Sequence, residues 1–171
     1  MTRLALIAGT GALPRLLAGA VEEPFLLAEM QGFASEVTGR EPVRFRIERL
    51  VPFLDYLLDA GVERVVLAGA MRRPQLDPEL FDARTATLVP RLVTAMQGGD
   101  DGMLRAVIGV FEEWGLQVVG AGQVVPDLVP GAGILAGQVS AADEADVARA
   151  AAIVAALGAE DLGQGAVVAQ G

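Results

Sequence analysis

Leu4-Ala5-Leu6-Ile7-Ala8 is an unbroken apolar run closed by Gly9-Thr10-Gly11. A strand with one face in water alternates apolar and polar side chains. A short continuous run ended by a glycine turn instead marks a strand covered on both faces, the usual state of parallel sheets flanked by helices. From Leu13 the apolar spacing becomes helical, through Leu16, Leu17 and Ala20. Pro14 suits a first helical turn, where its missing N–H would have had no partner. The chain is thereby committed to an α/β architecture from its start.

The same alternation continues. Phe25-Leu26-Leu27-Ala28 predicts a second strand, and the stretch from Gly32 to Pro42 carries several turn formers. Val43 to Ile47 alternates apolar residues with Arg, as a half-exposed strand near a sheet edge would. Leu50, Phe53, Leu54, Leu57 and Leu58 define one helix face that stops at Gly61, and Val65-Val66-Leu67-Ala68-Gly69 follows as a central strand. After a proline-marked loop from Pro74 to Pro78, helices are expected from about Thr85 to Met96 and from about Asp101 to Trp114. Leu116 to Val119 adds a further strand. The prediction is a mostly parallel sheet with helices on both faces over residues 1–126.

Beyond Pro126 the character changes. Pro130-Gly131-Ala132-Gly133 is small and flexible, which places a linker over 127–142. Asp143 to Leu157 reads as an Ala-rich helix and Gly165-Ala166-Val167-Val168-Ala169 as the start of another strand. One helix and one strand cannot enclose a core. Residues 143–171 are therefore expected either to pack back on the first sheet or to begin a second, incomplete domain. Such a piece exposes apolar surface and a strand edge, so a homodimer or a domain swap is expected.

Composition removes whole classes of chemistry. The chain has no Cys and no His, and all 13 of its basic residues are Arg. Thiolate and imidazole metal sites, Cys nucleophiles, a Ser-His-Asp relay, P-loop lysines and Schiff bases are all excluded. Any metal must be held by oxygen ligands. A net charge of −9 offers no footprint for nucleic acid, so an anion must be bound locally, by backbone N–H groups and placed arginines. Apolar runs break well short of the ~18 residues of a membrane span, and no signal-like segment opens the chain; a cytoplasmic location is expected.

Four segments could carry function. In Gly9-Thr10-Gly11-Ala12-Leu13-Pro14, helix N–H groups and the helix dipole converge where a phosphate could sit; a plain tight turn explains the same glycines. The dinucleotide fingerprint is not met, since Pro14 stands where its third glycine would fall. Glu29 lies about where a ribose-binding acid is expected, which keeps an NAD(P)-dependent oxidoreductase domain open. Gly69-Ala70-Met71-Arg72-Arg73-Pro74 follows the central strand and delivers an arginine to the same sheet edge; Arg73, fixed by Pro74, is the chosen phosphate clamp, against a solvated loop charge. Asp100 and Asp101 either cap a helix or orient Mg²⁺ or a substrate hydroxyl. Gln164, beside Gly165, has an amide suited to a uracil or a sugar, or forms a polar turn. Met103, Phe111 and Trp114 are expected in the core.

Taken together, Leu6 to Pro14, Ala68-Gly69 with Arg73-Pro74, Gly99-Asp100-Asp101 with Leu104-Arg105, and Asp161 to Val168 resemble the LpxI-type UDP-2,3-diacylglucosamine pyrophosphatases of bacterial lipid A biosynthesis. The resemblance runs through nearly the whole chain. It implies a Rossmann-like N-terminal domain and a second, catalytic domain, with substrate between them. It also implies Mg²⁺-dependent hydrolysis of UDP-2,3-diacylglucosamine to UMP and 2,3-diacylglucosamine 1-phosphate (lipid X). Members run about a hundred residues longer, and the acidic residue linked to catalysis lies beyond Gly171. The expectation is a substrate-binding half, nearly inactive alone, using Gly9, Thr10, Gly11, Ala12, Gly69, Arg73, Pro74, Asp100, Asp101, Gln164 and Gly165. Thr10 replaces a glycine common in that turn, and Ala70-Met71-Arg72 departs from the usual residues before Arg-Pro. A substrate with acyl chains implies transient contact with the inner-membrane surface. A non-catalytic nucleotide-binding module is the alternative reading of the same glycines.

Overall fold

The computed structural model describes residues 3–72, 75–96, 99–160, 162–163 and 165–171. Five strands, β1 (Arg3–Ala8), β2 (Phe25–Met30), β3 (Val43–Phe45), β4 (Val62–Ala68) and β5 (Gln117–Val119), form one sheet in the order β3-β2-β1-β4-β5. Every neighbouring pair is parallel. The helices are α1 (Ala12–Ala20), α2 (Leu50–Asp59), α3 (Ala83–Ala86), α4 (Val89–Met96), α5 (Gly99–Glu113), α6 (Ala121–Val124) and α7 (Ala141–Ala159).

The apolar run of β1 is buried on both sides, none of its residues from Leu4 to Ala8 exceeding 2% exposure. Leu4, Leu6 and Ala8 face one core with Leu17 of α1, against which Ala121 and Val124 of α6 also pack. Ala5 and Ile7 face the other, with Leu54 and Leu57 of α2 and Val110 and Phe111 of α5. Period-two alternation thus feeds two cores from one strand. Each fully buried leucine contributes about 1.5–3 kcal/mol. Phe45 at the end of β3 stacks on Phe53 of α2, with ring centroids 3.9 Å apart and planes 5° from parallel, tying the outer strand to that helix.

The helix expected over residues 85–96 is two helices. Asp82 caps α3 by accepting from Arg84 N and Thr85 N, 3.0 Å each. The chain then turns through Thr87 and Leu88, and α4 starts afresh. Pro90 has no N–H to offer the Ala86 carbonyl, so the ladder of α3 cannot continue.

The chain divides into two compact units, Met1–Val129 and Pro130–Gly171. In the second, Ser140 and Asp143 cap α7 reciprocally: Ser140 N donates to Asp143 Oδ2 at 2.8 Å and Asp143 N to Ser140 Oγ at 3.3 Å. The strand expected at residues 165–169 is absent. Among the described residues of this unit there is no other strand for it to pair with, and Val167 stands 97% exposed. The chain instead returns to α7, where Gln170 N and Gly171 N donate to the Asp146 carboxylate at 2.7 and 2.9 Å.

Candidate functional site

In this strand order, β1 has β2 on one side and β4 on the other, so the chain leaves in opposite directions from the centre of the sheet. The C-terminal edge at that switch point is where open α/β sheets hold ligands. Gly9 to Leu13 follow β1 there, and Gly69 to Arg72 follow β4.

The two loops are stitched together. Gly9 N donates to Ala68 O at 2.8 Å, Thr10 N to Ala70 O and Ala70 N to Thr10 O at 2.9 Å each, and Thr10 Oγ1 to Ala70 O at 3.1 Å. A Cβ on Gly9 would lie 2.5 Å from Ala70 O, and one on Gly69, whose φ is +92°, 2.7 Å from Thr10 O. These two glycines are required by the backbones' mutual approach. Because the amides of Gly9 and Thr10 are spent on β4 and its loop, the amides open to an anion are fewer than the glycines suggest. They are those of Gly11, Ala12 and Leu13 at the start of α1, which have no intrahelical acceptor; Pro14, buried, has no N–H to add. Gly11 is the N-cap at φ 97°, with no side-chain cap and open space around it.

Asp100 and Asp101 lie in the first turn of α5, not at its cap. Since α5 runs back towards the start of β5, that turn belongs to the C-terminal side of the sheet. Arg73, Pro74 and Gln164 lie outside the described residues. Gly165 belongs to the second unit and has open space around it. Met103 is half-buried, Phe111 is buried, and Trp114 packs against the core while its indole donates to Asp55 Oδ1 at 3.4 Å. Among the described residues no three acidic side chains converge, so their carboxylates build no cage for a divalent ion.

A hollow of about 450 Å³ opens over the C-terminal ends of β2 and β3. Met30, Gln31, Gly32 and Phe33 form one wall, Arg46, Ile47 and Glu48 another, and Arg72 and Gln75 line it from the segment after β4. Just beyond β3, Asp77 N donates to Glu48 Oε1 at 3.0 Å. Arg46 Nε donates to Glu48 Oε2 at 3.3 Å and Arg46 Nη1 to Gln31 Oε1 at 3.0 Å. Burial pushes the Glu48 carboxyl up, but the Asp77 amide and the Arg46 guanidinium outweigh it and hold the group below its ordinary range. A smaller hollow, about 170 Å³, lies at the opposite edge among Arg3, Phe25, Leu26 and Val62. It sits at strand N-termini, away from any helix start, and is the weaker ligand site on that ground.

The roles of Arg46 and Glu48 are not readable from the chain, where Arg46 falls in the alternating edge segment and Glu48 just after it. The one signal is an acid, Glu48, between Ile47 and the apolar helix that follows. Glu29, which held open a dinucleotide reading, is only 5% exposed, and its Oε1 accepts from Ser35 N and Ser35 Oγ at 2.8 and 2.7 Å. It braces the loop after β2.

Two comparisons bear on this arrangement. Residues 3–128 match the family model described as the LpxI N-terminal domain. A Caulobacter vibrioides protein named UDP-2,3-diacylglucosamine pyrophosphatase LpxI is 36% identical over 177 aligned residues, covering all of this chain. The chain spans 63% of that relative's length.

Proposed function

Because this chain belongs to the LpxI N-terminal domain family, we propose that it is the substrate-binding part of an enzyme hydrolysing the diphosphate of UDP-2,3-diacylglucosamine. The products are UMP and 2,3-diacylglucosamine 1-phosphate. The observation that carries this reading is the pair of loops stitched together at the switch point, with the amides of Gly11 and Ala12 at the start of α1 left open to an anion. Gly9, Thr10 and Gly69 frame the crevice. Arg73, Pro74, Asp100, Asp101, Gln164 and Gly165 complete the proposed substrate contacts.

Within this role the described residues bind and orient. Backbone N–H groups and arginines meet diphosphate charge without needing His, Cys or Lys. Mg²⁺ would supply further charge neutralisation at the diphosphate. The described carboxylates alone do not assemble a site for it, and the binding role needs none. On this reading the acid that performs hydrolysis lies outside residues 1–171, and this chain alone binds substrate with little turnover. No helix among the described residues is long and apolar enough to cross a membrane. The acyl chains of the substrate would bring the enzyme to the inner-membrane surface from the cytoplasmic side.

Assay of the full-length protein with UDP-2,3-diacylglucosamine and Mg²⁺ tests the reading: UMP release is expected, and none in a folded protein overturns it. The unassembled carboxylates favour one second reading, a nucleotide-binding module without catalysis. Tight UDP binding with no hydrolysis by the full-length protein would select it.

A further inference from the structure

We propose that Glu48 is a positioning residue for substrate binding: its buried carboxylate fixes the loop after β4, so that Arg72 of that loop is held ready for the substrate's phosphate charge. This rests on the substrate-binding role proposed above and deepens it.

Glu48 lies in a single 3-10 turn, Ile47–Arg49, between β3 and α2, and is 2% exposed. Its two oxygens serve different loops. Oε1 accepts from Asp77 N at 3.0 Å, and Oε2 accepts from Arg46 Nε at 3.3 Å. Arg46 Nη1 in turn donates to Gln31 Oε1 at 3.0 Å, just past the end of β2. One carboxylate thus joins the segments that follow β2, β3 and β4. The backbone adds a second tie, since Asp82 N donates to Glu48 O at 3.4 Å.

The loop after β4 depends on that tie. At its start the backbones of Ala70 and Thr10 hold each other. Met71, Arg72, Gln75 and Leu76 are exposed and make no hydrogen bond or ion pair among the described residues. Their placement therefore follows from the two anchors, Thr10 before them and Glu48 after them. Arg46 is offset by its pairing with Glu48, which leaves Arg72 as the guanidinium of the hollow with charge to give to an anion. The residue type at position 48 suits the task. A glutamine amide in its place could accept from Asp77 N but would turn its NH₂ on Arg46, which only donates; a carboxylate accepts on both sides. A buried ion pair gains little stability over well-packed apolar residues. What this one supplies is fixed geometry, and a charge ordered beforehand binds its anion without the entropy loss of ordering a loop on arrival.

The test is steady-state kinetics of the full-length protein with UDP-2,3-diacylglucosamine and Mg²⁺, in the unmodified form and as Glu48→Gln, Arg72→Ala and the double variant. Glu48→Gln is expected to raise KM about tenfold and to change kcat by less than about threefold. A merely structural defect would instead lower the amount of folded enzyme, which reduces apparent kcat and leaves KM. Because Glu48 acts through Arg72, the double variant should match Arg72→Ala in KM within about twofold instead of multiplying the two effects. Effects that multiply, or an unchanged KM in folded Glu48→Gln, overturn the assignment. Should Glu48→Gln fail to fold, Asp77→Pro is compared with Asp77→Ala. Asp77 is exposed, both variants lose its side chain, and only Asp77→Pro loses the N–H that Glu48 accepts. A KM about tenfold higher in Asp77→Pro is expected, and equal values overturn the positioning role. No UMP release by the unmodified protein overturns the substrate-binding role itself, a result separable from a failure of the positioning role alone.

Discussion

Thr10 and Ala70 exchange backbone hydrogen bonds, 2.9 Å in each direction, and so lock the turn after β1 to the turn after β4. The glycines flanking this bridge have unequal duties. Gly69→Ala would set a Cβ 2.7 Å from Thr10 O and 2.8 Å from Pro14 Cγ, at φ +92°. A loss of about 3 kcal/mol or more is expected, because backbone atoms cannot yield. Gly9→Ala meets Ala70 O at 2.5 Å and should behave likewise. Gly11→Ala meets nothing and carries only the backbone strain of φ 97° with ψ 179°, about 1–3 kcal/mol. Urea unfolding of the three variants checks the order; equal losses would refute this division between framing and open glycines.

Thr85 caps a helix that is not its own. It is 1% exposed, and its Oγ1 accepts from Val51 N, in the first turn of α2, at 2.9 Å. Thr85→Val keeps the shape but leaves that N–H without an acceptor. An expected cost of about 1–2 kcal/mol follows, and Thr85→Ser should recover most of it. Denaturant melts of both variants decide it, and a Thr85→Val as stable as the starting protein would show that water serves as well.

The sheet is legible in the chain because burial on two faces leaves a signature in consecutive residues: Leu4 to Ala8 and Val65 to Ala68 can only be inner parallel strands. The break between α3 and α4 has a local cause, Pro90, yet apolar spacing on both sides of it imitates one helix. Gly165 to Ala169 has strand-forming residues without a strand to pair with, and pairing is not a local property. The hollow was hidden for the same reason. Gln31, Arg46, Glu48 and Arg72 come from three separate strand ends, and only the order β3-β2-β1-β4 brings them together. The glycines were legible as a turn, but not the division of labour between them, which depends on where the backbone of Ala70 runs.

Acid should loosen the wall of that hollow. Burial disfavours the Glu48 carboxylate, yet the Asp77 amide and Arg46 lower its pKa below the ordinary 4.5. A carboxyl made more acidic by folding stabilises the native state above its unfolded pKa, and that stability is lost as pH falls through the native value. Asp55, held first by Arg84, and Asp143, held by Ser140, shift the same way. Thermal stability is therefore expected to drop below about pH 4.5. Glu48→Gln should cost about 1–3 kcal/mol at pH 7 and flatten that acid limb. A variant melting curve parallel to the original through this range would rule out Glu48 as a contributor.

Arg72 separates binding from folding most cleanly. It is exposed, lines the hollow and forms no ion pair among the described residues, so Arg72→Ala should change stability by no more than about 0.5 kcal/mol. Its loss removes the one guanidinium of the wall that Glu48 does not offset. A rise of about tenfold in KM for UDP-2,3-diacylglucosamine by the full-length protein is expected, with a smaller effect on kcat. Arg72→Lys should recover only part, since an ammonium cannot grip a phosphate with two parallel donors. Should Arg72→Ala leave KM unchanged while Arg73→Ala raises it, the phosphate clamp belongs to the neighbouring arginine.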